Sequence, residues 1–356
     1  MTSRKIAARA FIIAAAALSA AAAVLGTASA LAACGPARRT LKEGEVPVIG
    51  FSMDSLVVER WRRDLEVFTR SARELGALVI VRVADQDAAV QDQQVRELAG
   101  EGIDVLVVVP NDADGLAPAV KYVKSRGIPV LSYDRLVRRA RVDLYLSFDN
   151  EKVGSLMAES LSRAASEGTG FVVINGAKSD NNALMLGTGI HAILDPLVAA
   201  GKARIVAEIW PSTWDSDEAR RELEEAIARG EEFGALIAGN DMLAEAAIGV
   251  LSENRVTALV SGQDADLAAC QRIAEGSQYS TVYKPIDRLA LKAAGFAVML
   301  ARGEKVPADS TIDDGSGKVP YVRLEPVLVT KSSLESTVIK DGFHTAAEVY
   351  RNIERR

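Results

Sequence analysis

The sequence predicts an α/β protein of two Rossmann-like, parallel-sheet lobes joined by a hinge. Three observations lead there: short β-branched runs alternate with amphipathic segments, the alternation happens twice along the chain, and polar residues closing the runs recur at a near-constant spacing. With 356 residues, 49% hydrophobic and 25% charged, the chain has ordinary globular composition and length for two domains.

The first half holds VPVIGFSM (46–53), ALVIVRVA (77–84), IDVLVVVP (103–110) and IPVLSYD (128–134). The segments between them, such as Ala88 to Gly100, carry helical periodicity. Strand, helix, strand in this order implies a parallel sheet with right-handed crossovers. The second half repeats the pattern with GFVVING (170–176), ARIVAEIW (203–210), FGALIAGN (233–240) and VTALVSGQD (256–264). The tail adds YKPIDRLALKAAGFAVML, a helix opening after Pro285, and PYVRLEPVLVT, which reads as one more strand. Such a tail returns the chain to the first lobe, so several linkers join the lobes, as in a hinge. The expected boundaries are 1–33 for an export leader, 34–45 for a tether, 46–150 plus about 287–330 for the first lobe, and 151–286 plus about 331–356 for the second.

The register of the repeat points to a site. Asn111-Asp112 follow the third run and Asn240-Asp241 the seventh, an offset of 129 (240 − 111); Asp134 and Asp264 close the fourth and eighth, an offset of 130 (264 − 134). Open parallel sheets present their ligand crevice at the carboxyl ends of the strands. A single strand-end Asp is also a common helix cap or turn former. A set matched across two halves points instead to a shared cleft.

The N-terminus stands apart. Arg4, Lys5 and Arg9 flank a run from Ala10 to Leu25 rich in Ala, Ile and Leu, and small residues lead to Leu31-Ala32-Ala33-Cys34, the layout of an export signal. LAAC resembles the lipobox of bacterial lipoproteins, which implies cleavage before Cys34 and lipid on its sulfur; the alternative is an ordinary cleaved signal with an incidental cysteine. Removing three cations takes the formal charge from −6 to −9 (−6 − 3), which argues against nucleic acid as the main partner. With Cys34 lipidated only Cys270 remains, so no intrachain disulfide and no zinc or iron–sulfur spacing exists. Cys270, within LAACQRIA, reads as a small buried residue of a helix. Beyond the leader no run approaches the roughly 18–20 apolar residues of a membrane span.

The segments ERW (59–61), YDR (133–135), SFDNEKVG (147–154), SDNNA (179–183), GNDM (239–242), SGQDADLA (261–268), TVYKPI (281–286) and TVIKDGFH (337–344) follow one another in unbroken order. Together they resemble bacterial periplasmic sugar-binding proteins, the type I solute-binding proteins of ABC transporters, and most nearly the D-xylose-binding branch. The resemblance implies a type I periplasmic binding protein fold. It also implies a monosaccharide between the lobes: D-xylose, or a relative such as ribose, arabinose, glucose or galactose. Its contacts fall on Arg60, Asp134, Arg135, Asp180, Asn182, Asn240, Asp264 and Lys284, with Trp214 covering the sugar face. Ser212 and Thr213 depart from the acidic-Gly pair that the family carries before that Trp. Further implications are a monomer without cofactor or metal, delivery of sugar to the permease and ATPase subunits of an importer, and an extracytoplasmic location with an anchor at Cys34.

These residue types suit a neutral polyol. A hydroxyl donates and accepts, so carboxylates serve as acceptors, Arg and Lys as donors, and Asn amides as both. Three cations (Arg60, Arg135, Lys284) balance three anions (Asp134, Asp180, Asp264), which fits an uncharged ligand better than a phosphate or carboxylate. An indole covers a C–H face with large area and few rotors. Trp61 is either a second such cover or core of the helix it opens; Trp210, closing an apolar run, reads as core.

An enzyme finds little support. Only His191 and His344 are present, and no nucleophile elbow, zinc helix or phosphate loop occurs. GTGIHA (187–192) mimics a dinucleotide fingerprint but lies inside a helical run, and DQDAAV (85–90) fails as a calcium loop at its fifth position and its required Gly. A sugar-responsive transcription regulator opens with a helix-turn-helix rather than an export signal. A sugar sensor for a membrane chemoreceptor differs from a transport component only in partner, and stays open.

Overall fold

The computed structural model describes residues 41–353 except position 43. The expected leader (1–33), Cys34 and much of the 34–45 tether lie outside the described residues.

The first lobe opens with β1 (Val48–Met53), α1 (Arg60–Glu74), β2 (Leu78–Val83), α2 (Ala88–Gly100), β3 (Val105–Val108), α3 (Ala117–Ser125), β4 (Val130–Tyr133) and β5 (Leu144–Phe148). These strands are parallel, in spatial order β5-β4-β3-β1-β2. Helices cover both faces. That is why β3 is an unbroken apolar run, VLVV, with every side chain buried. On one face Phe51, Val107 and Tyr133 meet Phe68 of α1; on the other Leu106 and Tyr145 share a core with Leu98 and Val120.

The second lobe follows with α4 (Asn150–Ala164), β6 (Thr169–Ile174), α5 (Asn181–Ala199), β7 (Ala203–Ile209), α6 (Ser216–Ala228), β8 (Ala235–Ala238), α7 (Asp241–Glu253), β9 (Leu259–Gln263), α8 (Leu267–Glu275) and β10 (Ser280–Tyr283). Its parallel strands run β10-β9-β8-β6-β7. α4 and α5 approach with backbones nearly touching: a Cβ on Gly189 would stand 1.9 Å from the Glu151 carbonyl oxygen, and one on Gly154 2.1 Å from that of Leu186. α5 corrects one expectation. With 19 residues and a mean hydropathy of 1.2 it has the length and composition of a membrane span, but it packs on α4 and sends Leu186, Ile190 and Leu194 into the core.

The tail then returns. α9 (Ile286–Ala301) lays Leu289, Ala290, Ala293, Ala294 and Ala297 into the core shared with α1. β11 (Ser310–Asp313) and β12 (Lys318–Leu324) extend the first sheet, β12 parallel to β5. β13 (Val327–Thr330) instead pairs antiparallel with β10 in the second sheet. The single strand predicted at PYVRLEPVLVT is thus two strands in two sheets, and the tail's first-lobe portion ends near Leu324 rather than about 330. Pro326 accounts for the break, since it has no N–H for a ladder and restricts Glu325 before it. Among the described residues the chain crosses between lobes at 148–150, 283–286 and 324–327. β5, β10 and β11 are not among the predicted runs. A last helical turn, α10 (Ala346–Val349), closes with Val338 and Val349 against Cys270, Ile273 and Tyr283. Cys270 is buried there, as its helical setting predicts.

Candidate functional site

Arg60, Trp61, Asp134, Arg135, Asp180, Asn182, Trp214, Asn240, Asp264 and Lys284, all singled out from the sequence, line one cavity between the lobes; Val58 and Gln263 complete its wall. The free volume of this cavity is about 30 Å³, room for little more than a water molecule, so in this closed form the side chains of the two lobes stand nearly against one another. Each of these residues sits at or beyond the carboxyl end of a parallel strand, before or at the start of the next helix or, for Asp134 and Arg135, before the next strand. Arg60 and Trp61 open α1 beyond β1, Asp134 and Arg135 follow β4, and Asp180 and Asn182 stand at the start of α5 beyond β6. Trp214 belongs to the β7–α6 loop, Asn240 joins β8 to α7, Gln263 and Asp264 end β9, and Lys284 follows β10.

The counterparts Asp134 and Asp264 share a backbone peculiarity: both have positive φ, +61° and +95°. Non-glycine residues rarely adopt this region, and such strain gathers at functional sites. Capping and site roles coincide elsewhere. Asp180 caps α5 by accepting from the Asn182 amide through Oδ1 (2.9 Å), while Oδ2 accepts from Arg135 Nε (2.8 Å) and Trp214 Nε1 (3.2 Å). Asn240 caps α7 by accepting from the Leu243 amide (2.8 Å).

Several contacts join the lobes directly. Beside the Arg135–Asp180 pair, Asn182 Nδ2 donates to the Asp134 carbonyl (3.1 Å) and carboxylate (3.3 Å), and the Tyr145 hydroxyl donates to Asn182 Oδ1 (3.2 Å). Arg60 pairs with Asp134 at 2.9 Å and reaches toward Asp264 at 3.7 Å. Lys284 lies 2.7 Å from Asp264. The lobes are closed.

Two further carboxylates stand behind the wall. Asp64, 0% exposed, accepts from Arg60 Nε (2.9 Å) and from the Tyr133 hydroxyl. Asp54 accepts from Arg135 Nη1 (2.8 Å) and Asn111 Nδ2 (2.7 Å). Asn111, the predicted counterpart of Asn240, therefore acts through Asp54 and Arg135 and does not line the cavity. A cation in the first turn of a helix opposes its dipole, so Arg60 depends on these acids. Burial alone would drive Arg60 toward neutrality, yet Asp134, Asp64 and Asp264 hold it well above the ordinary guanidinium value. For Arg135, Asp180 and Asp54 likewise overcome burial. Burial also presses Asp134 upward, but Arg60, Lys284 and Arg135 bring it below the usual carboxylate value. At Asp180 burial prevails over Arg135 and the carboxyl is raised.

Trp61 belongs to the core and also lines the cavity. It is 3% exposed within the first core, its ring meets the Arg60 and Arg135 guanidinium groups at 4.6 and 5.7 Å, and it lines the cavity. Trp214 rests on glycine backbone: a Cβ on Gly176 would stand 2.2 Å from its ring. Trp210 departs from expectation, being half-buried, with Nε1 donating to Glu208 (3.1 Å) and Lys178 Nζ 5.1 Å from its ring. β7 is an edge strand, so the residue closing it has a sheet neighbour on one side only.

Gln263 is the polar wall residue missing from the sequence prediction; its place in GQDAD, beside Asp264, is the signal. Its Nε2 donates to the Gly239 carbonyl (2.7 Å), while its Oε1, like Trp61 Nε1, is buried without a hydrogen-bond partner. Buried polar atoms are normally satisfied, so the wall offers an acceptor and a donor suited to a ligand. A balanced ring of charges, amides and indoles can hold a small neutral molecule by many directed hydrogen bonds.

Comparison with known proteins decides the family. Residues 49–305 match the family described as periplasmic binding protein domain. The chain belongs to this family. As a periplasmic binding protein it is 43% identical to the D-xylose-binding periplasmic protein of Haemophilus influenzae over 305 residues, covering 85% of this chain and 92% of that one. The D-xylose-binding periplasmic protein of Escherichia coli K12 is 41% identical over 304 residues, with the same shares. Among solved structures, the carbohydrate transporter solute-binding protein from Chloroflexus aurantiacus, in complex with D-glucose, has a TM-score of 0.80 at 28% identity, covering 85% of this chain and 98% of that one. The family is one of solute binding rather than catalysis, and membership implies export to the periplasm.

Proposed function

We propose that this periplasmic binding protein captures D-xylose, or a closely related monosaccharide, between its lobes and delivers it to an ABC importer, tethered to the membrane through lipidated Cys34. The observation that carries the reading is the meeting of three cations, three carboxylates, three amides and two indoles from both lobes on one small cavity. The two D-xylose-binding relatives above support the choice of sugar.

Sugar binds one lobe first and then bridges both, so closure is favoured because the closed form alone satisfies both sets of contacts. Asp134, Asp180 and Asp264 accept from hydroxyls; Arg60, Arg135 and Lys284 donate; the indoles of Trp61 and Trp214 cover the ring. A micromolar complex requires about −8 kcal/mol, which the roughly ten heavy atoms of a pentose supply within ordinary ligand efficiency. The closed monomer docks on the permease, whose ATPase partner provides the energy.

Calorimetric titration of the form starting after Cys34 with xylose, arabinose, ribose, glucose and galactose tests the reading. One-to-one binding led by xylose is expected. Preference for another of these sugars replaces the ligand while keeping the mechanism, and a folded protein that binds none overturns the sugar reading. For the anchor, mass spectrometry of the mature N-terminus is expected to find lipid on Cys34; an unmodified N-terminus overturns it.

A further inference from the structure

The acidic residue after Asn240 does not touch the cavity, yet it is bound into the turn that carries Asp264. Asp241 is 1% exposed. Its Oδ1 accepts from Gln278 Nε2 (2.8 Å), and its Oδ2 accepts from the Thr281 hydroxyl (2.8 Å) and the Asp266 amide (3.1 Å). The Thr281 oxygen in turn accepts from the Ala265 amide (3.2 Å). One carboxylate thus holds two successive amides of the turn, Asp266 directly and Ala265 through Thr281. The turn needs such holding, because both Asp264 (φ +95°) and Ala265 (φ +56°) lie where L-residues are uncommon. Gly262 makes the room: a Cβ there would stand 2.3 Å from Asp241 Oδ1.

We propose that Asp241 is a positioning residue for the ligand: by fastening the turn Asp264–Asp266 it sets where the Asp264 carboxylate meets Lys284 and the sugar. The inference rests on the reading of the cleft as a sugar site.

The charges around Asp241 give this role a pH signature. On its own helix Glu245 is tied to Arg272 of α8 (3.1 Å), and Arg272 Nη2 also donates to the Asp241 carbonyl (3.4 Å). The turn contributes Asp264 and Asp266, α8 the Cys270 thiol, and the first lobe Glu59. β10 offers Thr281, with the uncharged Gln278 just before it; Lys284 pairs with Asp264; and His344 Nε2 lies 2.8 Å from the Ala265 carbonyl on the far side of the turn. Acids outnumber cations around a buried carboxylate. Burial, and then the Asp264 charge, push Asp241 up to about 7; burial, and then Asp241, push Asp266 up to about 9. For a carboxyl raised in the fold, the stabilisation is complete below the ordinary carboxylate value and lost as pH rises through the raised one.

The test compares wild type, Asp241→Asn and Asp241→Ala, melted without ligand and titrated with xylose across about pH 5–10. Wild type is expected to lose melting temperature and sugar affinity as pH climbs through about 7 and beyond. Asp241→Asn, with a neutral amide in the same place, is expected to show a flatter profile and an affinity within a few-fold of wild type at neutral pH. Asp241→Ala is expected to weaken binding roughly tenfold or more, about the worth of one charge-assisted hydrogen bond. Wild-type affinity in a folded Asp241→Ala, or an Asp241→Asn profile parallel to wild type, overturns the inference. Should Asp241→Ala not fold, Thr281→Val removes only the relay hydroxyl; a several-fold loss of affinity supports the role and an unchanged affinity overturns it. A wild type that binds no sugar overturns the sugar reading instead, and the ligand-free melting profiles still decide whether Asp241 holds the turn.

Discussion

Arg135 bridges the two lobes with one guanidinium, taking Asp54 from its own lobe and Asp180 from the other, each at 2.8 Å. Two consequences separate at this residue. Losing the charge-assisted contacts to sugar that the proposed function gives Arg135 costs about 1.5–3 kcal/mol each, or roughly ten- to 150-fold in affinity. Leaving two buried carboxylates unpaired costs a further ~3–5 kcal/mol of stability. Arg135→Ala is therefore expected to bind at least tenfold more weakly and also to melt lower, whereas Asp264→Ala is expected to lose affinity with a smaller change in melting. Calorimetry and thermal melts on both variants check this; near-wild-type affinity in either removes that residue from the site. The place of Asp264 in the cavity wall is legible in the sequence because it closes an apolar run matched in the other half, whereas that of Arg135 follows from the YDR motif of the family resemblance. Asp54 is not legible in this way, since nothing in its neighbours along the chain says that Arg135 lies in front of it; Asp64 stands four residues after Arg60 on α1, an i,i+4 pairing that helical spacing does signal.

At the scale of elements, the α4–α5 contact sets the second lobe's geometry. Gly154 and Gly189 let two backbones meet, and α5 carries Asp180 and Asn182 into the cleft at its first turn. Gly189→Ala forces a methyl onto the Glu151 carbonyl oxygen and is expected to cost about 1–3 kcal/mol or more, as overpacking does. Because the strain moves the start of α5, sugar affinity is expected to fall with melting temperature; unchanged values for both would mean that the helices part freely. The helices themselves are readable from periodicity, and the long parallel strands from their unbroken apolar runs. β5, β10 and β11 are not. β10, STVY, becomes a strand because β9 and β13 flank it, and those partners are remote in sequence.

For the whole molecule, the three crossings at 148–150, 283–286 and 324–327 form the hinge. Arg323 and Asp149 pair across it at 3.2 Å, and the Asp149 amide donates to the Leu324 carbonyl (2.9 Å). The structure shows the lobes joined by ion pairs and hydrogen bonds across the cleft, so sugar binding requires an open form in which these contacts are broken. Solution scattering is expected to give a larger radius of gyration without sugar and a smaller one with it; equal radii, in a protein that binds sugar by calorimetry, would refute the hinge mechanism. Ligand at about a hundred times its dissociation constant is expected to add about 2.7 kcal/mol to stability.

The sequence alone determined the alternation of strands and helices, the two-fold repeat, and the strand-end residues Asp134, Asn240 and Asp264 that reach the cavity. Each of these is written locally, in the period of apolar residues and the polar residues that close each run. Tertiary structure decided which strand joins which sheet, splitting 320–330 at Pro326, and placed Trp61 in core and cavity together while leaving Trp210 on an exposed edge. It also put Asp54, Asp64 and Asp241 behind the wall as the acids that hold the wall in shape. The physical reason is distance along the chain: Asp54 meets Arg135 81 residues on, and Asp241 meets Thr281 40 residues on. No local pattern encodes such pairings, which arise only when the packed sheets bring strand ends side by side.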